Sequence, residues 1–325
     1  MRHLILALAL LATLAIAGGA QAQPGDFQSW LLSMRQDAMA QGVTAATLDH
    51  AFAGVQPIPR VIELDHQQPE TTLTFQQYID RVVPQARRDA ARQHYIDNQP
   101  LLEQVAQRYG VPSRYIVALW GIETDFGQKI GTYPIIAALA TLAYDGRRAN
   151  FFKAELIKAL LIVQNDHINP ATMIGSWAGA MGQSQFMPSS YLAYAVSYSG
   201  NGSPDIWNKP DDVFASIANY LAQLGWKANQ SWGRQVMAPA GLDSSLVGMP
   251  RKRPLADWAA LGIKRANGTP LIDAQTDSTQ RAALLQPGGG DGPSFLVGDN
   301  FNVILHWNNS SYFAIAVGYL ADSVN

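Results

Sequence analysis

The chain has 325 residues, 48 % of them apolar, a formal net charge of −2 and no cysteine. Its length suits one large domain or two smaller ones. The lack of cysteine excludes disulfides, a thiolate nucleophile and cysteine-ligated metal, and the mild acidity gives no reason to expect nucleic acid or another strong polyanion as partner. At the start, Arg2, the apolar run Leu4 to Ala17 and the small-x-small triplet Ala20-Gln21-Ala22 read as a secretory signal peptide cleaved after Ala22. No later stretch is apolar enough to span a membrane. A mature end without cysteine carries no lipid on that residue. Export as a soluble protein with no membrane anchor is the expectation.

Short helices are predicted between Phe27 and about Ala53, where Trp30-Leu31-Leu32 and Ala45 to Phe52 have helical apolar spacing. Pro57 and Pro59 break this pattern and an extended segment through Ile62-Glu-Leu64 is expected. Thr74 to Val83 predicts a helix ending before Pro84. Ala86 to Tyr95 and Leu101 to Tyr109 predict two further helices, the second stopped at Gly110. Val111-Pro112-Ser113 then opens a strongly apolar helix through Ile116, Val117, Leu119, Trp120 and Ile122. Ile135 to Tyr144, Phe151 to Asn165 and Asp211 to Gly225 continue the helical series. After Trp226 glycine, proline and short apolar runs dominate. A small β-containing portion is expected between about Val236 and Trp307, with a strand-like run in Gly298 to Trp307 and a closing helix over Tyr312 to Ala321. The Arg251-Lys-Arg253 cluster reads as a solvated surface turn.

Two stretches carry candidate chemistry. The first ends the apolar helix with a carboxylate, in Gly121-Ile-Glu-Thr-Asp-Phe-Gly127. Leu119 and Trp120 lie three and four residues before Glu123, over the same helical face. A carboxyl held against apolar surface has its charged form disfavoured, which suits a general acid. An ordinary helix-end carboxylate, solvated or paired with an arginine, stays open at this point. On a continuing helix Asp125 points away from Glu123, so the two are not a working pair. The second stretch is the glycine-rich, uncharged segment Gly175 to Tyr191. Its Gly175, Gly179 and Gly182 suit close backbone approach, either to a ligand or in a tight internal contact. Ser176, Trp177, Gln183 and Gln185 are side-chain types that bind sugars through neutral hydrogen bonds and ring faces.

Taken together, Gly-Ile-Glu-Thr-Asp-Phe-Gly and Ala178-Gly-Ala-Met-Gly-Gln-Ser-Gln-Phe-Met-Pro-Ser-Ser-Tyr191 resemble the lytic murein transglycosylase B family. The resemblance continues through Ile217-Ala-Asn-Tyr-Leu221 and Trp307 to Ala314, and covers the chain from about Thr74 onward. It implies a mainly α (α+β) fold: a lysozyme-like catalytic core with an additional helical part and a small β-containing subdomain. On that basis the chain divides into a signal peptide (1–22), an N-terminal helical part (23–95), the core (96–235), the β subdomain (236–300) and a C-terminal segment returning to the core (301–325).

The implied activity is cleavage of the β-1,4 bond between N-acetylmuramic acid and N-acetylglucosamine in peptidoglycan without water, leaving a 1,6-anhydro-muramic end. Glu123 would act first as acid and then as base. Glycosidases that use water or a covalent intermediate need two carboxylates, and here an internal hydroxyl replaces the second. By resemblance Ser176, Gln185, Tyr220 and Tyr78 line the cleft, and Arg148 faces the acidic or peptide part of the substrate. The family has tyrosines where this chain has Trp307 and Phe313. Trp307 keeps a ring that stacks on sugar, whereas Phe313 lacks the hydroxyl. A hydrolytic muramidase and a non-catalytic peptidoglycan-binding scaffold remain the alternatives.

The loop Ser197 to Asp205 resembles an EF-hand-like calcium loop of some relatives, with Ser197, Ser199, Asn201, Ser203 and Asp205 at alternate positions and Gly202 at the sixth. Asp205 is the one acidic ligand among them, Asn208 stands where a bidentate glutamate belongs, and Asp212 lies further on. A metal-free loop is therefore expected and no cofactor is assigned, calcium being disfavoured. No H-E-x-x-H, G-x-S-x-G, phosphate-binding loop or dinucleotide fingerprint occurs. The expected protein is a monomer in the periplasm acting on glycan strands, with proteins of cell-wall synthesis as candidate partners.

Overall fold

The computed structural model describes residues 27–67, 73–290 and 292–324. The expected signal peptide lies outside them. In chain order the elements are α1 (Phe27–Ala40), α2 (Ala45–Ala51), α3 (Pro59–His66), α4 (Phe75–Val82), α5 (Gln85–Tyr109) and α6 (Ser113–Thr124). There follow β1 (Tyr133–Pro134), α7 (Ile135–Asp145), α8 (Ala149–Asn165), β2 (Ile174–Gly175), α9 (Pro188–Tyr194) and α10 (Pro210–Gln223). The last part holds β3 (Gly233–Met237), β4 (Arg253–Pro254), α11 (Leu255–Ala260), β5 (Lys264–Arg265), β6 (Arg281–Leu285), β7 (Ser294–Val297), α12 (Asp299–Trp307) and α13 (Ser311–Asp322). This is the mainly helical α+β composition expected. No helix among the described residues is long and apolar enough to cross a membrane.

The chain forms two compact units, each built from two separated stretches: 27–67 with 119–220, and 73–118 with 221–324. In the first unit α7 and α8 form an antiparallel pair. Ile135, Ile136, Leu139 and Leu142 of α7 are buried, as are Phe152, Leu156, Leu160 and Val163 of α8. α1, α2, α3 and α9 pack around this pair. Thr141 is fully buried on α7 without an unpaired hydroxyl, since it donates to Ala137 O at 2.7 Å and accepts the Ile58 N–H at 3.0 Å.

The second unit contains the five-stranded antiparallel sheet, in the order β4-β6-β7-β3-β5. One of its faces buries Val236, Leu284 and Leu296 with Leu255 and Trp258 of α11. A second cluster centres on Trp232, which is 1 % exposed. Its indole N–H donates to Asp322 at 3.0 Å, its backbone N–H donates to the Tyr115 hydroxyl at 3.2 Å, and Phe295, Phe301 and Tyr319 lie around the ring.

Four local expectations are corrected. The segment through Ile62–Leu64 is helical, because Pro59 sits in the first turn of α3, where its missing N–H has no intrahelical partner to lose. The two helices expected on either side of Pro100 are one 25-residue helix, α5. The carbonyl deprived of the Pro100 N–H belongs to Ile96, which is 61 % exposed and open to water. The run Gly298 to Trp307 is helix α12 rather than strand. Asn300, Val303, Ile304 and Trp307 recur at helical spacing, and Asp299 in the first turn pairs with Lys227 and Lys252. Finally, α11 forms where no helix was expected, driven by burial of Leu255 and Trp258.

Gly318 on α13 offers a test in which two general effects oppose. Alanine in a helix interior is favoured over glycine by roughly 1 kcal/mol. A Cβ at Gly318, however, would lie 2.2 Å from the Trp232 ring. That ring is held by Asp322 and its aromatic neighbours, so it has little room to shift, and overpacking costs about 1–3 kcal/mol. Gly318→Ala is therefore expected to lower the melting temperature by a few degrees in calorimetry. An increase would mean that the Trp232 ring yields freely.

Candidate active site

The site is built on the C-terminal end of α6. Tyr115, Ile116, Val117, Ala118 and Leu119 are all fully buried and Trp120 is 6 % exposed. A helix apolar on every side is a core element, and Glu123 is the carboxylate in its last turn, half-buried. The helix stops at Thr124, because Asp125, Phe126 and Gly127 take φ values of 52°, 59° and 82°. Asp125 thus does not continue the helix, and its carboxylate pairs with Lys129 at 2.6 Å. The continuing helix on which Asp125 was expected to point away from Glu123 is therefore absent.

Tyr220, on α10, is 7 % exposed and packs against Tyr194 and Phe186. Burial, then the neighbouring Tyr194 and the charge of Glu123, push its hydroxyl well above the ordinary tyrosine range. Tyr220 therefore lies within electrostatic reach of Glu123. Phe186 belongs to the glycine-rich stretch, so that stretch meets the same group. Gln185 sits there at a φ of 50°, with its side-chain N–H group donating to Ile130 O and Gly182 O. Ser176 is 1 % exposed and its hydroxyl oxygen accepts the Ala180 N–H at 3.0 Å.

The glycines of this stretch serve internal packing. A Cβ on Gly175 would meet Ala180 O at 2.0 Å, and one on Gly182 would meet Ile206 O at 2.6 Å. Small residues here do let backbone come close, but between turns of the stretch and the Ile206 segment, not between the two helices that a small-residue contact would join. One side chain offered as a sugar ligand is committed elsewhere, and another is buried. Trp177 is 7 % exposed, as buried as Tyr220. Gln183 accepts from the Trp120 indole at 2.8 Å and donates to Trp207 O at 2.7 Å.

Arg148 caps the start of α8 and pairs with Asp65, which is 1 % exposed and also takes Arg147. The Arg148 guanidinium lies 4.7 Å from the centre of the Phe152 ring. Tyr78 and Trp307 belong to the second unit. There Tyr78 is 2 % exposed with its ring edge-on to Tyr312, and Trp307 is the half-buried last residue of α12. Phe313 is buried in the core of α13.

Sequence gave no signal for Glu155, a buried carboxylate on α8. It accepts the Ser189 N–H at 2.8 Å and so fixes the start of α9, immediately after the Gln-Phe-Met-Pro segment. Its partner lies 34 residues away, and no local pattern links the two.

Two places carry metal-ligand types. Asp65, His66 and Asp145 converge to within 4.8 Å. Asp65 is already neutralised by two arginines and His66 bonds Asp145 at 2.9 Å, a setting that repels a cation. In the Ser197 to Asp212 region the acidic oxygens are also occupied. Asp212 accepts the Tyr198 and Asp205 N–H groups at 2.7 and 2.8 Å, and Asp205 accepts those of Trp207 and Asn208 at 3.0 and 2.9 Å. The Ser197 hydroxyl turns back to Asn201 O at 3.0 Å. With Asp205 the one acidic residue at the alternate loop positions and Asp212 bonded to backbone N–H groups, this donor set offers a hard dication little negative charge and fits it poorly.

Comparison with known proteins places these features. A family model for the transglycosylase SLT domain matches residues 26–322. Membrane-bound lytic murein transglycosylase B of Escherichia coli K12 is 38 % identical over 226 residues, which is 69 % of this chain and 60 % of that protein. The match therefore spans less than two-thirds of the relative's length. Among solved structures, SltB3 of Pseudomonas aeruginosa in complex with NAG-anhNAM-pentapeptide superposes with a TM-score of 0.88 at 44 % identity, covering 93 % of this chain and 80 % of that one. The Escherichia coli lytic transglycosylase Slt35 in complex with calcium does so with a TM-score of 0.75 at 31 % identity, covering 94 % and 95 %. The lysozyme-like fold expected from the sequence is thus the fold of its relatives, and the chain belongs to the transglycosylase SLT-domain family.

Proposed function

We propose that the protein is a lytic transglycosylase of the periplasm, cleaving the β-1,4 bond between N-acetylmuramic acid and N-acetylglucosamine without water. The observation that carries this reading is the setting of Glu123. It sits at the end of a buried helix, within electrostatic reach of a tyrosine hydroxyl, while its acidic neighbour Asp125 is drawn off to Lys129. The family to which the chain belongs, the murein transglycosylase to which it is similar and the NAG-anhNAM-pentapeptide held by SltB3 support the substrate class.

In the proposed reaction Glu123 in its protonated form gives its proton to the glycosidic oxygen as the C1–O bond breaks. The resulting carboxylate then takes the proton of the C6 hydroxyl of the same muramic acid. That oxygen closes on C1 and forms the 1,6-anhydro ring. Both proton transfers use one carboxyl group, so no second carboxylate is required to activate water or to form a glycosyl-enzyme. Because its hydroxyl is pushed up, Tyr220 stays a neutral O–H donor beside the charge that develops on Glu123. Ser176, Gln185 and Tyr220 are the first unit's proposed glycan contacts, with Arg148 for the acidic or peptide portion. Tyr78 and Trp307 are those proposed for the second unit. The reaction needs no metal, and the Ser197 to Asp212 loop is proposed to work metal-free, closed by its own aspartates.

Digestion of purified peptidoglycan, read by mass spectrometry, tests the reaction. Muropeptides one water lighter than hydrolysis products, without a reducing muramic end, are expected; reducing ends would make the enzyme a muramidase. Because Glu123 serves both proton transfers, Glu123→Gln is expected to lower product release by roughly 10³-fold or more while glycan binding persists. Undiminished release would remove Glu123 from the chemistry.

The loop is tested by thermal unfolding in calcium and in chelator. A site with calcium at about 100 times its dissociation constant would gain about 2.7 kcal/mol. We expect the melting temperature to differ by less than about 1 °C, well below the shift such a gain produces. A rise of several degrees would show that the aspartates rearrange to coordinate.

A further inference from the structure

We infer that Gln183 is a positioning residue for Glu123, fixing the last turn of α6 without itself contacting the glycan. The inference rests on the reading of Glu123 as the acid. A helix end leaves its last carbonyls without intrahelical partners and tends to fray. Here the fraying turn carries the reacting group, and the chain leaves it through three consecutive residues in the left-handed region. Such an end needs an outside support.

Gln183 supplies it with four different atoms. Its side-chain oxygen accepts the Trp120 indole N–H at 2.8 Å, three residues before Glu123. Its backbone carbonyl accepts the Thr124 hydroxyl at 2.9 Å, one residue after Glu123. The carboxylate is thus bracketed by two bonds to one residue. On its far side Gln183 is anchored in turn, its backbone N–H donating to Ile206 O at 2.8 Å and its side-chain N–H to Trp207 O at 2.7 Å. Thr124 is fully buried and closes the circuit by accepting the Gly127 N–H at 3.0 Å. Gly127 must lack a side chain for this, since a Cβ there would lie 2.4 Å from the Gln183 side-chain oxygen.

A part-buried polar network with its partners in place, closed over the buried Trp120 and Thr124, is stiff. Displacement of an acid by about 1 Å is enough to cost on the order of 10²-fold in rate. The loop 205–208 thereby becomes the anchor of the acid, through Gln183. This separates Gln183 from Gln185 two residues on, which the proposed function assigns to substrate.

The test uses the mature protein on soluble glycan strands, comparing wild type with Gln183→Met, Thr124→Val, Thr124→Ser and Glu123→Gln. Methionine keeps the length of Gln183 and its two backbone bonds but removes both side-chain bonds. With cooperative unfolding preserved, Gln183→Met is expected to lower kcat by about 10–100-fold with KM within about twofold of wild type. A raised KM at unchanged kcat would make Gln183 a substrate contact and overturn the inference, as would unchanged values of both. Should Gln183→Met fail to fold, the threonine pair decides. Thr124→Ser, which keeps the hydroxyl, is expected to retain at least about tenfold more kcat than Thr124→Val, and equal values would refute the bracket. Glu123→Gln separates the two levels. If it is inactive while Gln183→Met keeps full kcat, only the positioning role falls; if it is active, the assignment of the acid falls first.

Discussion

The constraint that governs this molecule is the placement of a single carboxylate at the end of a helix whose middle, Tyr115 to Trp120, is core. From Tyr115 to Leu119 every side chain of α6 is out of water, and apolar burial on that scale fixes the helix axis firmly. Burial alone does not fix the terminal turn, because dispersion contacts are non-directional and the backbone runs out of partners there. Directional bonds have to take over at the point where the apolar surface ends. Trp120 marks this handover, its ring packed against Phe126 and Phe214 and its N–H bonded to Gln183.

The same logic explains why the glycine-rich stretch is so short of side chains. It contributes backbone and amide groups, and these must come close. Gly175 and Gly182 each face a carbonyl oxygen that a Cβ would strike, so the stretch folds onto itself and onto the 205–208 loop. Gln185 is held in the left-handed region as a result, a conformation of modest cost that surrounding structure must over-determine. The loop in turn is stiffened by Asp205 and Asp212, whose carboxylates accept backbone N–H bonds. In a relative a calcium ion accompanies the fold. Here the Asp205 and Asp212 oxygens accept backbone N–H bonds that organise the loop.

How much of this was legible in the sequence follows from the range of each interaction. The apolar helices α6, α7 and α8 were readable because their signal repeats every three to four residues. Glu123 stood out because it interrupts such a pattern. Pro59 and Pro100 misled, since proline marks a helix start or an exposed helix as readily as a break, and only burial tells these apart. In α12 two adjacent β-branched residues suggested a strand, while the pairing of Asp299 with lysines 72 and 47 residues away was invisible. The committed amide of Gln183 was hidden for the same reason. Its partners lie 63 and 24 residues distant, and composition alone offered a sugar ligand.

The contrast between Gln183 and Gln185 carries a more general point about polar motifs. Two glutamines two residues apart in an uncharged, glycine-rich string look equivalent by chemistry. They differ by whether their amides are used up by protein. A buried amide with unsatisfied groups costs on the order of 1–3 kcal/mol, so a position whose groups are all paired internally is selected for support. A position whose acceptor side is left to the cleft is suited to a ligand. Gln183 has both its side-chain oxygen and nitrogen engaged on opposite sides, toward Trp120 and Trp207, whereas the bonds that hold Gln185 use its nitrogen. On the proposed reading the string combines a brace and a contact in alternate residues, and the carboxylate at the end of α6 is held by bonds that protein alone supplies.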